Sequence, residues 1–188
     1  TRVRSSAASD VYKRQKEMNK DEQMKFFKET LLKTEREGIE DLLDFMEDLG
    51  FYTAPASGGN HLCKDGGLFE HTVNVMRLAE KIGVAMLGGI AYTKIHNSVM
   101  IAAALHDLGK CGREGSPYYV ENMIQDGKPT KKNPEQKYKR SEAKPFKVST
   151  DLCHIDHPLR SVELAARYID LTEEEAVSYT HLTLPTIL

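Results

Sequence analysis

The sequence predicts an all-α helical bundle carrying one small basic hairpin or loop insertion, and three observations carry that reading. Apolar residues recur at helical spacing in five segments, spread from about residue 21 to residue 169. Glycine or proline punctuates the ends of those segments, at Gly38, Gly50, Gly66-Gly67, Gly88-Gly89, Gly109 and Pro158. Between residues 112 and 156 the periodicity lapses, and Lys128 to Lys147 holds eight basic residues against two acidic ones. A chain of 188 residues is long enough for one core and not for two.

In chain order, Asp21 to Arg36 reads as an amphipathic packing helix with Met24, Phe27, Leu31 and Leu32 on one side. Gly38 opens a second helix, in which Ile39, Leu42, Leu43, Phe45 and Met46 stand among acids, and Gly50 closes it. Phe51 to Gly67 is a loop with turns at its paired glycines, and it carries His61. Two helices follow, over about 68–87 and 95–108. His71 stands on the first, where Val75, Leu78, Ala79 and Ile82 form an apolar stripe on its face; His96, ahead of the apolar run of the second, is expected at the surface.

Beyond Gly112, Tyr118-Tyr119-Val120 is expected to continue a short helix, and Gln125-Asp126-Gly127-Lys128 is a hairpin-turn signal. A last long helix starts at His157-Pro158 and runs to Ile169; Thr172 then caps a further helix that opens with acids. Residues 1–15 and 177–188 resemble translated sequencing-adapter read-through and are expected to lie outside the fold. That leaves a domain over 16–176, incomplete at its C-terminal end.

Composition narrows the function. The chain is 40% hydrophobic and 29% charged, with a formal net charge of −2; without residues 1–15 it carries 22 basic against 27 acidic residues. General attraction to nucleic acid is therefore not expected. No apolar run approaches a membrane span and no signal peptide is recognisable, so a cytoplasmic location is the expectation. Cys63, Cys111 and Cys153 lack Cys-x-x-Cys spacing, which argues against a disulfide framework, a thiolate zinc site or a deaminase-type zinc centre.

The chemistry concentrates at His106-Asp107-Leu108-Gly109-Lys110. Met100 to Leu105 is apolar almost all round and reads as a buried helix, so a charged Asp107 at its end needs a partner or a cation. Gly109 reads as a helix C′ signal, and Lys110 places a cation near the negative end of the helix dipole. Imidazole beside carboxylate suits a divalent metal, with a third ligand arriving from another helix, for which His71 is the candidate.

The combination Gly66-Gly67-Leu68-Phe69-Glu70-His71-Thr72 with His106-Asp107-Leu108-Gly109-Lys110 resembles the HD-domain metal-dependent phosphohydrolases, over about residues 37–176. Within them it is most similar to the HD-type 3′→5′ exoribonuclease branch and its phage-like relatives, in which a histidine at the place of His61 recurs. The resemblance implies His71, His106 and Asp107 as metal ligands, and His157 as a ligand of a second ion, with His154 a weaker candidate. One or two divalent ions (Mn, Fe, Zn, Mg or Co) are implied. Asp107 and Lys110 are the implied catalytic groups, with His61, Lys110 and Arg160 holding substrate phosphate. The substrate would be a phosphorylated small molecule or a nucleic acid end, with the basic insertion holding it by charge if it folds over the metal. The family's final aspartate, and the histidine before it in two-metal members, have no match here. A non-catalytic module binding a nucleotide or protein, or an inactive fragment, is therefore the alternative. His181 lies in the suspect tail and is not counted. No feature of the sequence sets an oligomeric state.

Overall fold

The computed structural model describes residues 18–129 and 135–181. Its helices are α1 (Lys20–Leu32), α2 (Ile39–Asp48), α3 (Gly67–Leu87), a single turn α4 (Gly89–Tyr92), α5 (His96–Leu105), α6 (His157–Ala165) and α7 (Glu173–His181). Six strands of two or three residues lie between α5 and α6: β1 (Gly112–Arg113), β2 (Ser116–Pro117), β3 (Tyr119–Glu121), β4 (Met123–Gln125), β5 (Tyr138–Arg140) and β6 (Phe146–Val148). The body is helical, as expected, and the strands qualify an all-α description.

The centre of the bundle is α5. From Val99 on its sequence is apolar on every side, and Met100, Ile101, Ala104 and Leu105 are fully buried, because α1, α3, α6 and α7 all pack around it. The first layer outside it begins with α1. Asn19 caps that helix: its side chain accepts from the Glu22 amide at 2.9 Å, and Glu22 accepts in return from the Asn19 amide. Phe27 and Leu31 are buried, whereas Leu32, expected on the same side, is exposed because the helix ends there and its stripe passes through 24, 27 and 31. In α2 all five expected apolar positions are buried. Phe27, Phe51, Tyr52 and Phe69 form an aromatic cluster that fastens the start of α3 to α1, with ring centroids 5.2–6.2 Å apart.

Four expectations need correction. The fully buried face of α3 is Leu68, Phe69, Thr72, Val73 and Met76; of the expected stripe, Val75 and Ala79 pack half-buried against the core, whereas Leu78 and Ile82 are exposed. Tyr118-Tyr119-Val120 is not helical, because Tyr119 and Val120 lie in β3, antiparallel to β6, as the strand preference of aromatic and β-branched residues favours. Asp126-Gly127 does not make a tight hairpin: β4 pairs with β5 in a register that sets Gln125 opposite Tyr138, so the connection spans 126–137. Part of that connection, residues 130–134 with Lys131 and Lys132, lies outside the described residues, as do 1–17 and 182–188. Finally, the expected fold limit at residue 176 falls inside α7, which runs to His181; Tyr179 is buried and its hydroxyl donates to the Ile101 carbonyl at 3.4 Å.

The N-terminus of α7 is tied down by one carboxylate. Glu175 accepts from the Thr172 amide at 3.0 Å while the Thr172 hydroxyl accepts from the Glu175 amide, a capping box. Its two oxygens also receive both arms of the Arg36 guanidinium, at 2.8 and 3.0 Å. Burial pushes the Glu175 carboxyl up, but the bonds from Arg36 and Thr172 outweigh it and hold its pKa below the usual range. Because the folded-state pKa is the lower one, this stabilisation is complete at neutral pH and is lost as pH falls through the carboxylate range. Glu175→Ala is expected to lower the unfolding free energy by about 2–4 kcal/mol, the range for breaking a buried pair whose arginine keeps some solvent contact. In Glu175→Gln, urea midpoints measured from pH 7 down to pH 3 should lose the part of the acid slope that the parent shows.

Candidate metal centre

Apolar burial carries α5 down to Leu105, and the chain then turns through His106 and Asp107 into a 3-10 turn over Leu108–Cys111. The expected helix end at residue 108 therefore comes three residues early. Gly109 is not a left-handed helix stop either, since it lies inside that turn without a positive φ. What requires glycine there is contact: a Cβ on Gly109 would lie 2.1 Å from the His157 carbonyl oxygen. The first turn of α6 is pressed against the motif at that point, and Ser161 joins the two. The Gly109 amide donates to Ser161 Oγ at 2.8 Å, and the Ser161 hydroxyl points its own proton between the carbonyls of His106 and His157, each at 2.9 Å.

This packing gathers four side chains around one buried carboxylate. Asp107 is 4% exposed. Its Oδ2 lies 3.4 Å from His71 Nε2, 3.3 Å from His106 Nε2 and 2.7 Å from Lys110 Nζ, and its Oδ1 lies 3.3 Å from His157 Nε2. The two Nε2 atoms of His71 and His106 are 3.3 Å apart. At His106 the tautomer follows from its partner: Nδ1 is 2.9 Å from the Ala103 carbonyl, which can only accept, so Nδ1 carries the proton and Nε2 keeps its lone pair.

Electrostatics put these groups in ligand form. Burial lowers the His71 pKa to about 4 against the opposing pull of Asp107, so its imidazole is neutral at pH 7. For Asp107, burial would raise the pKa, but the His106 and His157 rings against its two oxygens and the charge of Lys110 hold it well below the carboxylate range. A neutral imidazole and an ionised carboxylate are the states that bind a divalent cation.

The donors also fit one by spacing. His71, His106 and Asp107 each offer one ligand atom within a compact group. Ligands about 2.0–2.1 Å from a tetrahedral ion stand about 3.3–3.4 Å from one another. The three edges measured here are 3.3, 3.3 and 3.4 Å. His157 stands outside that group, on the opposite carboxylate oxygen.

The remaining expected residues are placed less uniformly. His61 is exposed at the rim, its ring centroid 6.1 Å from that of His71. The basic insertion reaches the loop that holds it: the Phe146 amide donates to the Gly58 carbonyl at 3.0 Å, and Lys144 lies against Gly59. Arg160 is 1% exposed, so it does not face open solvent; its Nη2 donates to the Cys153 carbonyl at 2.8 Å and its Cζ lies 5.8 Å from the centre of the Tyr118 ring. Its Nε and Nη1 are buried without a hydrogen-bond partner among the described residues. His154 is exposed in the loop before α6 and touches none of these groups. His96, expected at the surface, is half-buried at the start of α5, near Glu80 and the Tyr92 ring.

Sequence reasoning missed three contributors. Ser161 is the clamp, the Ala103 carbonyl orients His106, and Tyr119 stands close enough to Asp107 that burial and the charges of Tyr118 and Asp107 push its phenol up to about 12. Only Ser161, four residues after His157 on one helix face, left a sequence signal.

Substituting alanine at His71, His106 or Asp107 should each remove bound metal in elemental analysis of the purified chain. Gly109→Ala should do so too, because the His157 carbonyl must move away. That change should also cost about 1–3 kcal/mol in a denaturation experiment, as overpacking does.

The family model described as HD domain matches residues 68–180, a span that contains His71, His106, Asp107, Lys110 and His157. No curated protein and no solved structure matches the chain.

Proposed function

The chain belongs to the HD-domain family, and from that premise we propose that it is a metal-dependent phosphohydrolase acting on the phosphoester of a nucleotide or of a nucleic acid end. The observation that carries the reading is the donor triangle of His71, His106 and Asp107, whose spacing and charge state suit one divalent cation. Bound there, a divalent ion supplies an acidified water as nucleophile at neutral pH and a positive charge for phosphoryl oxygens.

The chain's own residues do the rest. His106 is held by Ala103, and Asp107 by its burial and by Lys110, so the ligand atoms are fixed before any substrate arrives. Asp107 turns its second oxygen to His157, and these two residues would be the ones to hold a second ion if one is bound. The Lys110 ammonium, 2.7 Å from Oδ2, is placed to share its charge with a phosphate oxygen. His61 stands at the exposed rim beside His71 and offers a ring N–H to a leaving or entering phosphate. The insertion, docked on the loop of His61, brings Lys144 and Lys147 to that side of the molecule, both exposed. A nucleic acid 3′ end is the substrate that such an edge and the exoribonuclease-like motif together favour.

One observation favours a second reading, a non-catalytic HD module. Among the described residues Asp107 is the sole carboxylate in the donor group; of the acids that open α7, Glu173 and Glu174 are exposed and Glu175 is taken by Arg36. Three ligands hold an ion less tightly than a full set.

Hydrolysis of bis(p-nitrophenyl) phosphate and of a short 3′-labelled oligoribonucleotide, with Mn²⁺, Fe²⁺ or Zn²⁺ added, separates the two. The enzyme reading expects metal-stimulated turnover that falls by on the order of 100-fold or more in Asp107→Asn, the loss of several kcal/mol of charge stabilisation. Lys110→Met should raise KM more than it lowers kcat. Turnover unchanged in Asp107→Asn would exclude this site as its source, and metal binding without any turnover would leave the module.

A further inference from the structure

At the donor triangle a single oxygen is offered to two cations. Asp107 Oδ2 is the corner that the carboxylate contributes, 3.4 Å from His71 Nε2 and 3.3 Å from His106 Nε2, and the Lys110 ammonium lies closer to it than either, at 2.7 Å. The chain itself fixes that approach. Lys110 stands three residues after Asp107 in the 3-10 turn, its amide donates to the Asp107 carbonyl at 2.9 Å, and its side chain is only 18% exposed. Among the described residues it pairs with no other carboxylate.

The fixed charges of this corner cancel. Asp107 is the sole carboxylate of the donor group, Lys110 carries one positive charge, and the histidines add no negative one. A divalent ion held by the triangle therefore adds two charges that nothing within the donor group offsets. The carboxylate there is 4% exposed, and at such a depth charges act on one another far more strongly than in water.

We propose that Lys110 makes metal binding and anion binding cooperative at this centre: its ammonium competes with a divalent cation for Asp107 Oδ2, and a phosphate-class dianion relieves the competition by neutralising both. The coupling is reciprocal by necessity, so the factor by which the anion tightens the metal is the factor by which the metal tightens the anion. A lysine suits this use. Its three donors let one remain on Asp107 while another meets a phosphate oxygen, and its charge is compact. A lysine that served only to hold a buried carboxylate in place would act with the opposite sign, since its loss would then weaken the metal. The inference rests on the reading of the metal centre and does not depend on turnover.

Titration of the whole chain with Mn²⁺, the free ion counted by its electron paramagnetic resonance signal, tests it with and without inorganic phosphate. Phosphate should tighten Mn²⁺ binding by the parent roughly tenfold, an ordinary size for coupling between two sites. Without phosphate, Lys110→Met and Lys110→Gln should each bind Mn²⁺ about tenfold more tightly than the parent, the effect of removing one nearby unit charge in a partly screened site. Phosphate should then help these variants several-fold less than it helps the parent. Two neutral replacements are used so that a fold defect in one, seen by far-UV circular dichroism, leaves the other to decide. Mn²⁺ binding that is equal or weaker in the folded variants would overturn the proposal, and so would an equal benefit from phosphate in parent and variants. In both of those cases Asp107→Asn still abolishes binding and the metal centre stands. A parent that binds no Mn²⁺, or binding that survives in Asp107→Asn, would remove the metal centre and the proposal together.

Discussion

A carboxylate buried at the end of an apolar helix is the constraint on which the rest of the structure depends. Asp107 is 4% exposed, and an isolated charge at that depth is strongly disfavoured unless cations or donors surround it. Four side chains meet the requirement, and each arrives on a different local frame: His71 from α3, His106 from the end of α5, Lys110 from the 3-10 turn and His157 from the head of α6. The bundle is in this sense built to bring three helices to one pair of oxygens. The same packing sets the neutral His71 imidazole beside the ionised Asp107.

Holding that arrangement takes close backbone contact as well as charge. Gly109 lets the carbonyl of His157 approach the motif turn, and Ser161 fastens the two segments with bonds to the Gly109 amide and to the carbonyls of His106 and His157. The residues between ligand and scaffold are therefore as specific as the ligands themselves. Arg160 departs from this economy. It is a buried guanidinium with two donors left unpartnered among the described residues, on α6 one turn after His157. An unsatisfied buried cation is unfavourable for stability.

The two ends of α3 are of opposite character. Near its start, polar groups converge on a buried carboxylate; from Ile82 onward the helix carries no charge and is mostly exposed. The basic insertion adds a third feature, tied to the loop of His61 through the Phe146–Gly58 bond, with Lys139 and Arg140 already paired to Asp126 and Glu121.

The sequence by itself determined most of the helices and pointed to the candidate metal-binding group. Apolar periodicity marked α2 and α5 almost to their ends, since burial on a helical period is a local property of spacing, and the two motifs marked His71, His106 and Asp107 because few other patterns place imidazole and carboxylate side by side at a helix end. Only the tertiary structure decided the rest. The inward face of α3 depended on where α5 lay, so the Val75–Leu78–Ile82 stripe, apolar by sequence, turned out to be partly solvent-facing. Gly109 looked like a helix stop, yet its cause is a carbonyl 48 positions further along the chain. Ser161, Tyr119 and the burial of Arg160 belong to the same class. Each is fixed by a contact between segments remote in sequence, and spacing along one chain cannot encode which remote surface will arrive.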